Sequence, residues 1–375
     1  MNEISLYIHI PFCVKKCNYC DFNSYAAPEL VPSYMEALQK EISLYRYMNR
    51  PVKTVYIGGG TPTLLSEKDL ETLIDCIRRR FKIKSNAEFT IEANPGASSR
   101  EKLLLLRNLG VNRLSLGLQA YQDRLLKVMG RIHSAKEFEE SFKTARQAGF
   151  DNINVDVIFG LPWQTLSDFM ETLEYLAKLS PEHISCYSLT VEEGTVFYKW
   201  QQQGLLELPG EDEERAMYHK AVEYLKRQGF IHYEISNFAK PGRMSRYNMA
   251  CWEYEDYLGL GAGAHSFMDG LRFYNYLSPQ QYIKCLSQKM LPVAKTEHID
   301  IREQQAEFCF LGLRLIEGLN KEAFKKRFGK DIHQIYGSTI EKLLASGLLE
   351  EDDIHLKLTY RGLDLANEVF VEFLP

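Results

Sequence analysis

Residues 13–20 read Cys13-Val14-Lys15-Lys16-Cys17-Asn18-Tyr19-Cys20. Three cysteines stand at C-x3-C-x2-C spacing, directly after an apolar, strand-like run from Ile4 to Ile10. Thiolates are the ligands of iron–sulfur clusters, and a cubane takes one ligand per iron. A loop offering three thiols to such a cubane would leave one iron open, much as a catalytic zinc site keeps one position for a small molecule. Structural zinc normally closes with four ligands in paired C-x2-C spacings. Here there is no second pair, and only His9 lies near in sequence as a fourth ligand, so zinc or plain buried thiols are the weaker readings.

Working outward, the first half of the chain alternates strand-like and helix-like segments. Strands are expected at Ile4–Ile10, Thr54–Gly58, Ala87–Glu92, Arg113–Gly117, Ile153–Phe159 and His183–Ser188. Amphipathic helices are expected at Val31–Met48, Glu67–Arg80, Arg100–Leu109, Ala135–Ala148 and Ser167–Leu179, with Ser66, Ser134 and Ser167 as N-caps and Gly110 and Gly149 as helix stops. Strict β–α alternation with crossovers of this length means a parallel sheet, either an open barrel or a doubly wound sheet. The chemically suggestive residues all fall at or near strand C-termini: the cysteine loop, Gly58-Gly59-Gly60-Thr61-Pro62-Thr63, Glu92-Ala93-Asn94-Pro95, Gln119, Asp156 before Gly160-Leu161-Pro162, and Tyr187-Ser188. In β/α barrels that end is the active face.

Composition excludes several classes. Apolar residues make up 45% and charged residues 25% of 375 residues, ordinary for a globular protein with room for one large and one small domain. A net charge of −5 argues against a nucleic-acid-binding surface over the whole chain. No run reaches the length of a membrane span, and the N-terminus does not read as a signal peptide. Eight cysteines, three of them clustered, do not form a disulfide framework and fit a reducing cytoplasm.

Further along, Glu211–Gln228 reads as a helix, Phe230–Ser236 as a strand, Ala239–Arg246 as a loop and Pro292–Asp300 as a linker. The last 75 residues change character. Helices at Glu303–Leu315, Lys321–Phe328 and Ile332–Ser346, a hairpin of Leu348-Leu349 with Ile354–Leu358, and a helix from Thr359 to Phe370 resemble a winged helix. Residues 301–375 hold 10 Lys+Arg against 13 Asp+Glu, a poor phosphate binder, so a packing or lid role is expected rather than DNA binding.

The glycine turn Gly58–Gly60 lets backbone approach a ligand closely, yet it is neither a P-loop nor a dinucleotide fingerprint. Glu92, Gln119, Arg131 and Asp156 form a polar set on mostly apolar elements. Carboxylates at strand ends hold ribose hydroxyls well, and an arginine pairs with a carboxylate as a fork.

With these residues in view, the cysteine loop resembles that of the radical S-adenosylmethionine (SAM) superfamily. The resemblance implies a partial (β/α)6 barrel and a 4Fe–4S cluster held by Cys13, Cys17 and Cys20. It also implies that the open iron binds SAM, which an electron from the cluster cleaves to a 5′-deoxyadenosyl radical. The stretches Tyr7–Cys13, Cys20-Asp21-Phe22, Gly58–Thr63, Gln119, Arg131 and Asp156–Pro162 resemble the oxygen-independent coproporphyrinogen III oxidase-like group nearly end to end. That group implies SAM contacts from Tyr7, Tyr19, Gly59, Gly60, Thr61, Glu92, Gln119, Arg131 and Asp156, some of which serve a second SAM in the oxidase.

Two branches separate here. The oxidase, converting coproporphyrinogen III to protoporphyrinogen IX, has a long segment before its cluster motif and a further cysteine after the last ligand. This chain has 12 residues before Cys13 and reads Tyr19-Cys20-Asp21-Phe22. Both features resemble the haem-chaperone branch, HemW, which implies haem as cargo and a haem-acceptor protein as partner, with a homodimer left open. The HemW pattern His-Asn-x-x-Tyr-Trp stands here as Tyr247-Asn248-Met249-Ala250-Cys251-Trp252. Tyr and Cys thiolate are both known haem ligands, so Tyr247 and Cys251 are candidates, beside the reading in which both simply pack. His265, after a Gly/Ala-rich run, is a candidate for the cofactor pocket, for haem, or for a structural role. The expected division is a barrel over 1–235, an extension and linker over 236–300, and a C-terminal unit over 301–375.

Overall fold

Alternation along each strand sets the architecture. In β1 (Ile4–Ile10), Ile4, Leu6, Ile8 and Ile10 enter the main apolar core, while Ser5, Tyr7 and His9 take the opposite face. The same division runs through β2 (Pro51–Gly59), β3 (Lys82–Ala93), β4 (Arg113–Gln119), β5 (Ile153–Phe159) and β6 (His183–Ser188). Their second face carries Tyr56, Glu92, Ser115, Asp156 and His183 in turn, giving a barrel with an apolar outer layer and a polar inner wall.

The structure is a computed structural model describing residues 3–45 and 49–375. The six strands pair in sequence order, all parallel, and their crossovers supply the helical layer. These are α1 (Val31–Leu44), α2 (Glu67–Arg80), α3 (Arg100–Asn108), α4 (Asp123–Val128), α5 (Ala135–Gln147) and α6 (Leu166–Leu179). Residues 46–48 of the expected first helix lie outside the described residues. Ser66 and Ser134 cap their helices as expected, accepting from Asp69 N and Glu137 N. For α6 the cap is Thr165, not Ser167. Its hydroxyl accepts from Asp168 N, and Asp168 reaches back in a full capping box that starts the helix earlier than expected.

The chain continues through α7 (Val196–Gln202), α8 (Glu211–Arg227), β7 (Ile231–Glu234), β8 (Asn237–Ala239) and α9 (Arg246–Trp252). Then come β9 (Tyr257–Leu260), β10 (His265–Met268), β11 (Leu271–Asn275), α10 (Pro279–Ser287) and β12 (Val293–His298). The strand expected at Phe230–Ser236 is β7, which pairs with the unexpected short strand β8 that follows it, and one expectation fails: the linker expected at Pro292–Asp300 contains β12. Short edge strands such as β12, mostly polar, carry little alternation to read and are recruited by pairing with β11. All join one twelve-stranded sheet, ordered β12-β11-β10-β9-β1-β2-β3-β4-β5-β6-β8-β7. β9 runs parallel to β1 and extends the barrel wall on that side.

The C-terminal part comprises α11 (Ile301–Gly312), β13 (Leu319–Asn320), α12 (Lys321–Phe328), α13 (Ile332–Ala345), β14 (Leu349–Glu351), β15 (His355–Leu358), α14 (Tyr360–Asp364) and α15 (Ala366–Val371). The last two replace one expected helix, broken at Leu365, whose φ of −115° is not helical. β13, β15 and β14 form a small antiparallel sheet, completing a winged-helix-like arrangement around a second core of Phe308, Phe324, Ile340, Leu356 and Phe373. Tyr254 and Phe267 from the barrel side enter that core too, so the two parts share buried surface.

Candidate cofactor site

The cysteine loop is tied to the barrel mouth by backbone. Cys13 N donates to Tyr25 O (3.0 Å), Gly60 N to Ile10 O (2.9 Å) and Thr61 N to Phe12 O (2.7 Å). Asn18 is the loop's main anchor. Its N and Nδ2 donate to Met129 O and Val128 O (both 2.8 Å), and its O accepts from Phe197 N (2.9 Å). Sequence reasoning passed over Asn18 as a spacer between ligands, and nothing local marks it.

The loop overhangs a cavity of about 390 Å³ at the C-terminal ends of the six parallel strands. Cys13, Cys17 and Cys20 line it, together with Tyr19, Gly59, Gly60, Glu92, Gln119, Arg131 and Asp156. Ten of the twelve residues expected to hold the cluster and SAM thus share one cavity. Thr61 stands beside it, its hydroxyl 3.6 Å from Cys13 Sγ and accepting from Asn94 Nδ2 (2.7 Å). Tyr7 does not line the cavity. Its hydroxyl bonds His9 Nδ1 (3.0 Å) and its ring lies 6.1 Å from that of Tyr56, below the floor. Ser115 and Asn94 also line the cavity. Ser115 was legible as one of the inward polar positions of β4, alternating with Leu114 and Leu116.

Among the described residues, no three His, Cys, Asp or Glu side chains converge as ligands of a single metal ion. His9 is not free to be a fourth ligand: Tyr7 takes Nδ1 and Asn23 O takes Nε2 (2.8 Å). The donor set is therefore three thiols on one loop, a fit for a cluster that spreads its ligands over several irons. Arg131 reinforces this. Its Nη1 lies 3.6 Å from Cys17 Sγ, and its Nη2 donates to Asn94 Oδ1 (2.8 Å) and Gly117 O (3.0 Å). Its Nε is buried without a partner. Burial pushes the Cys13 thiol up, opposed by the Thr61 hydroxyl and Arg131.

The opposite wall is acidic. Glu92 accepts from Tyr56 OH (2.8 Å) and Gly59 N (3.0 Å), and burial pushes its carboxyl up to about 7 against those bonds. Asp156 accepts from Ser115 Oγ (3.0 Å) and Asn154 Nδ2 (2.8 Å). Gln119 adopts φ +70°, at an irregularity in the β4–β5 pairing. A non-glycine left-handed residue is strained, and such strain clusters at ligand sites.

Comparison with known proteins bears on this geometry. A model of the radical SAM superfamily matches residues 7–176, and one of the HemN C-terminal domain matches residues 299–365. The chain is 42% identical over 374 residues to the heme chaperone HemW of Bacillus subtilis (strain 168), covering 99% of each chain. This chain belongs to the HemW family. It is also 33% identical to the heme chaperone HemW of Escherichia coli (strain K12), over 99% of this chain and 98% of that one. Among solved structures, the coproporphyrinogen III oxidase HemN of Escherichia coli superposes with a TM-score of 0.86 at 24% identity, over 99% of this chain and 89% of that one. HemN thereby shares the fold.

The remaining candidates fall elsewhere. Tyr247 and Cys251 share one face of α9, but that face packs inward: the Tyr247 ring lies 5.0 Å from Tyr56 and 6.2 Å from Tyr7. Burial pushes Tyr247 well up and Cys251 up to about 11. His265 stacks on Tyr274 (5.0 Å) on β10 and does not line the cofactor cavity. Among the described residues, no helix is long and apolar enough to cross a membrane.

Proposed function

We propose that this chain is a haem chaperone, holding haem as cargo and passing it to an acceptor protein in the cytoplasm. The observation that carries the reading is identity over essentially the full length to proteins named heme chaperone HemW. In support, Tyr19-Cys20-Asp21-Phe22 lacks the extra cysteine expected of the oxidase branch. We read residues 1–235 as the barrel unit, 236–300 as a family-specific extension, and 301–375 as the C-terminal unit.

In this reading Cys13, Cys17 and Cys20 hold a 4Fe–4S cluster. When bound, the cluster supplies a reducing electron and an open coordination site for SAM. The chain's own residues do the positioning. Gly59 and Gly60 present backbone to the ligand's amino group, with Thr61 fixing their turn. Glu92 and Asp156 accept from ribose hydroxyls, Gln119 and Arg131 hold the carboxylate side, and Tyr19 closes the mouth. Tyr7 acts from below, setting the floor through Tyr56. Arg131 also offsets negative charge at the thiolates.

A second reading, the coproporphyrinogen III oxidase, is favoured by the shared fold with HemN and by the cavity at the barrel mouth. One anaerobic experiment separates the two. Reconstituted, reduced protein is given SAM and coproporphyrinogen III, and a parallel sample is titrated with haem. Stoichiometric haem uptake without protoporphyrinogen IX supports the chaperone. Product over many turnovers makes the protein the oxidase.

A further inference from the structure

The inner wall of the barrel carries a chain of buried polar side chains that starts at the cofactor cavity and runs away from it. Asp156, in the cavity lining, accepts at Oδ1 from Asn154 Nδ2 (2.8 Å) and at Oδ2 from Ser115 Oγ (3.0 Å). Asn154 Nδ2 also donates to Ser115 Oγ (2.8 Å). Behind it, Asn154 Oδ1 meets His183 Nδ1 (2.6 Å) and accepts from Ser185 Oγ (3.1 Å). His183 Nε2 meets the Tyr233 hydroxyl (2.8 Å), whose oxygen accepts from Ser245 N (3.3 Å). Asn154, His183, Ser185 and Tyr233 are all buried, His183 with no exposure at all. Neither His183 nor Tyr233 lines the cofactor cavity.

The direction of every bond follows from the cavity end. A carboxylate only accepts, so Asn154 turns its amino group to Asp156 and its carbonyl oxygen to His183. That oxygen requires a donor, so His183 carries its hydrogen on Nδ1 and accepts at Nε2 from the Tyr233 hydroxyl. The Tyr233 oxygen is left to accept from Ser245 N, as found. Burial, with Arg113 nearby, pushes His183 well below the usual imidazole value, which fits the neutral ring this pattern needs. With the hydrogen on Nε2 instead, Nδ1 would become an acceptor and would turn Asn154 Oδ1 against the carboxylate.

The consequence falls on the ligand. A carboxylate has about four acceptor sites. The network fills one on each oxygen of Asp156 and leaves each oxygen able to accept from the cavity side. Paired acceptors on one carboxylate match the adjacent hydroxyls of a ribose. We propose that His183 is a positioning residue for the cofactor cavity: acting through Asn154, it fixes the Asp156 carboxylate as a paired acceptor for the ribose diol of SAM. This rests on the reading of the cavity as a SAM site, and adds a residue outside the cavity on which its affinity depends. Tyr233 acts one step further back, by fixing which nitrogen of His183 carries the hydrogen.

The test is SAM binding by the full, cluster-reconstituted chain under anaerobic conditions, measured by titration calorimetry as a double-mutant cycle. H183L removes the donor with an apolar side chain of similar size. Y233F keeps both rings and removes only the hydroxyl that sets the tautomer. Each is made alone and together with D156A, with iron content per chain and circular dichroism as controls. With Asp156 present, H183L is expected to weaken SAM binding about tenfold and Y233F about threefold. In D156A both are expected to change it by less than about twofold, because residues of one network are not additive, whereas a merely structural loss would persist. Nitrogen-15 imidazole shifts of the full chain are expected to place the hydrogen of His183 on Nδ1. If H183L does not fold, Y233F and the imidazole shifts carry the test. Wild-type SAM affinity in both variants, a loss that persists undiminished in D156A, or a hydrogen on Nε2 would each overturn the inference and leave the SAM reading standing. A wild type that carries its cluster and binds no SAM overturns the SAM reading itself, and this inference with it.

Discussion

In the proposed reading, Cys17 and Arg131 are the residues on which the cluster's chemistry would turn. Replacing Cys17 by Ser removes one of three thiols, and the expected outcome is loss of the iron–sulfur absorbance after reconstitution. Arg131 sits 3.6 Å from the same sulfur with its positive charge. Positive charge and hydrogen bonds at the sulfurs favour the reduced cluster. R131M is therefore expected to lower the reduction potential, read by a redox titration followed by electron paramagnetic resonance. Gly60 is constrained by space. A Cβ there would stand 2.5 Å from Phe12 O and 2.8 Å from Phe12 N, both backbone atoms. G60A must push the cysteine loop off the barrel, at about 1–3 kcal/mol, with a matching fall in melting temperature and reduced iron content per chain.

At the scale of elements, one buried carboxylate ties α1 to the extended part of the sheet. Glu41 Oε2 accepts from Gly261 N (2.8 Å) and Tyr282 OH (2.6 Å), and Oε1 from Asn275 Nδ2 (2.6 Å), with no solvent exposure. Burial pushes its carboxyl up to about 7 despite these bonds. A carboxyl with a raised folded pKa binds more protons folded than unfolded between its two pKa values. Its contribution is thus fully present below the unfolded value near 4.5 and is lost as pH rises to about 7. Wild-type stability is expected to drop by on the order of 2–3 kcal/mol across that window, beyond other titrations. In E41Q the drop should be absent, at a lower overall stability because the amide offers a donor where three donors already point. Denaturant midpoints from pH 4.5 to 7.5 measure both.

At the scale of the molecule, the barrel and the C-terminal part meet through Arg314. Its guanidinium lies 4.5 Å from the Trp252 ring centroid, and its carbonyl accepts from Ile235 N (3.1 Å). R314A removes the cation–π contact and leaves Glu234, fully buried, without its nearby positive charge. The expected cost is about 2 kcal/mol or more. Calorimetry should show it as a lower first transition, and limited proteolysis as faster cleavage near residues 290–300.

Much of the site was legible because its signals are local. Cysteine spacing, a triple-glycine turn and polar residues in otherwise apolar strands are short-range patterns, and parallel β–α alternation forces their strand ends to one face. That placed ten of the twelve cluster and SAM candidates in one cavity. What the sequence could not decide was set by packing at a distance. Tyr7 and Thr61 hold neighbouring parts in place outside the cavity lining, Asn18 works through carbonyls more than a hundred residues away, and β12 exists because β11 pairs with it. Above all, the chain could not tell which face of α9 would look outward. Tyr247 and Cys251 four residues apart promise one face, but whether that face meets a ligand or the barrel interior is decided by how α9 packs, and it packs Tyr247 against Tyr56 and Tyr7.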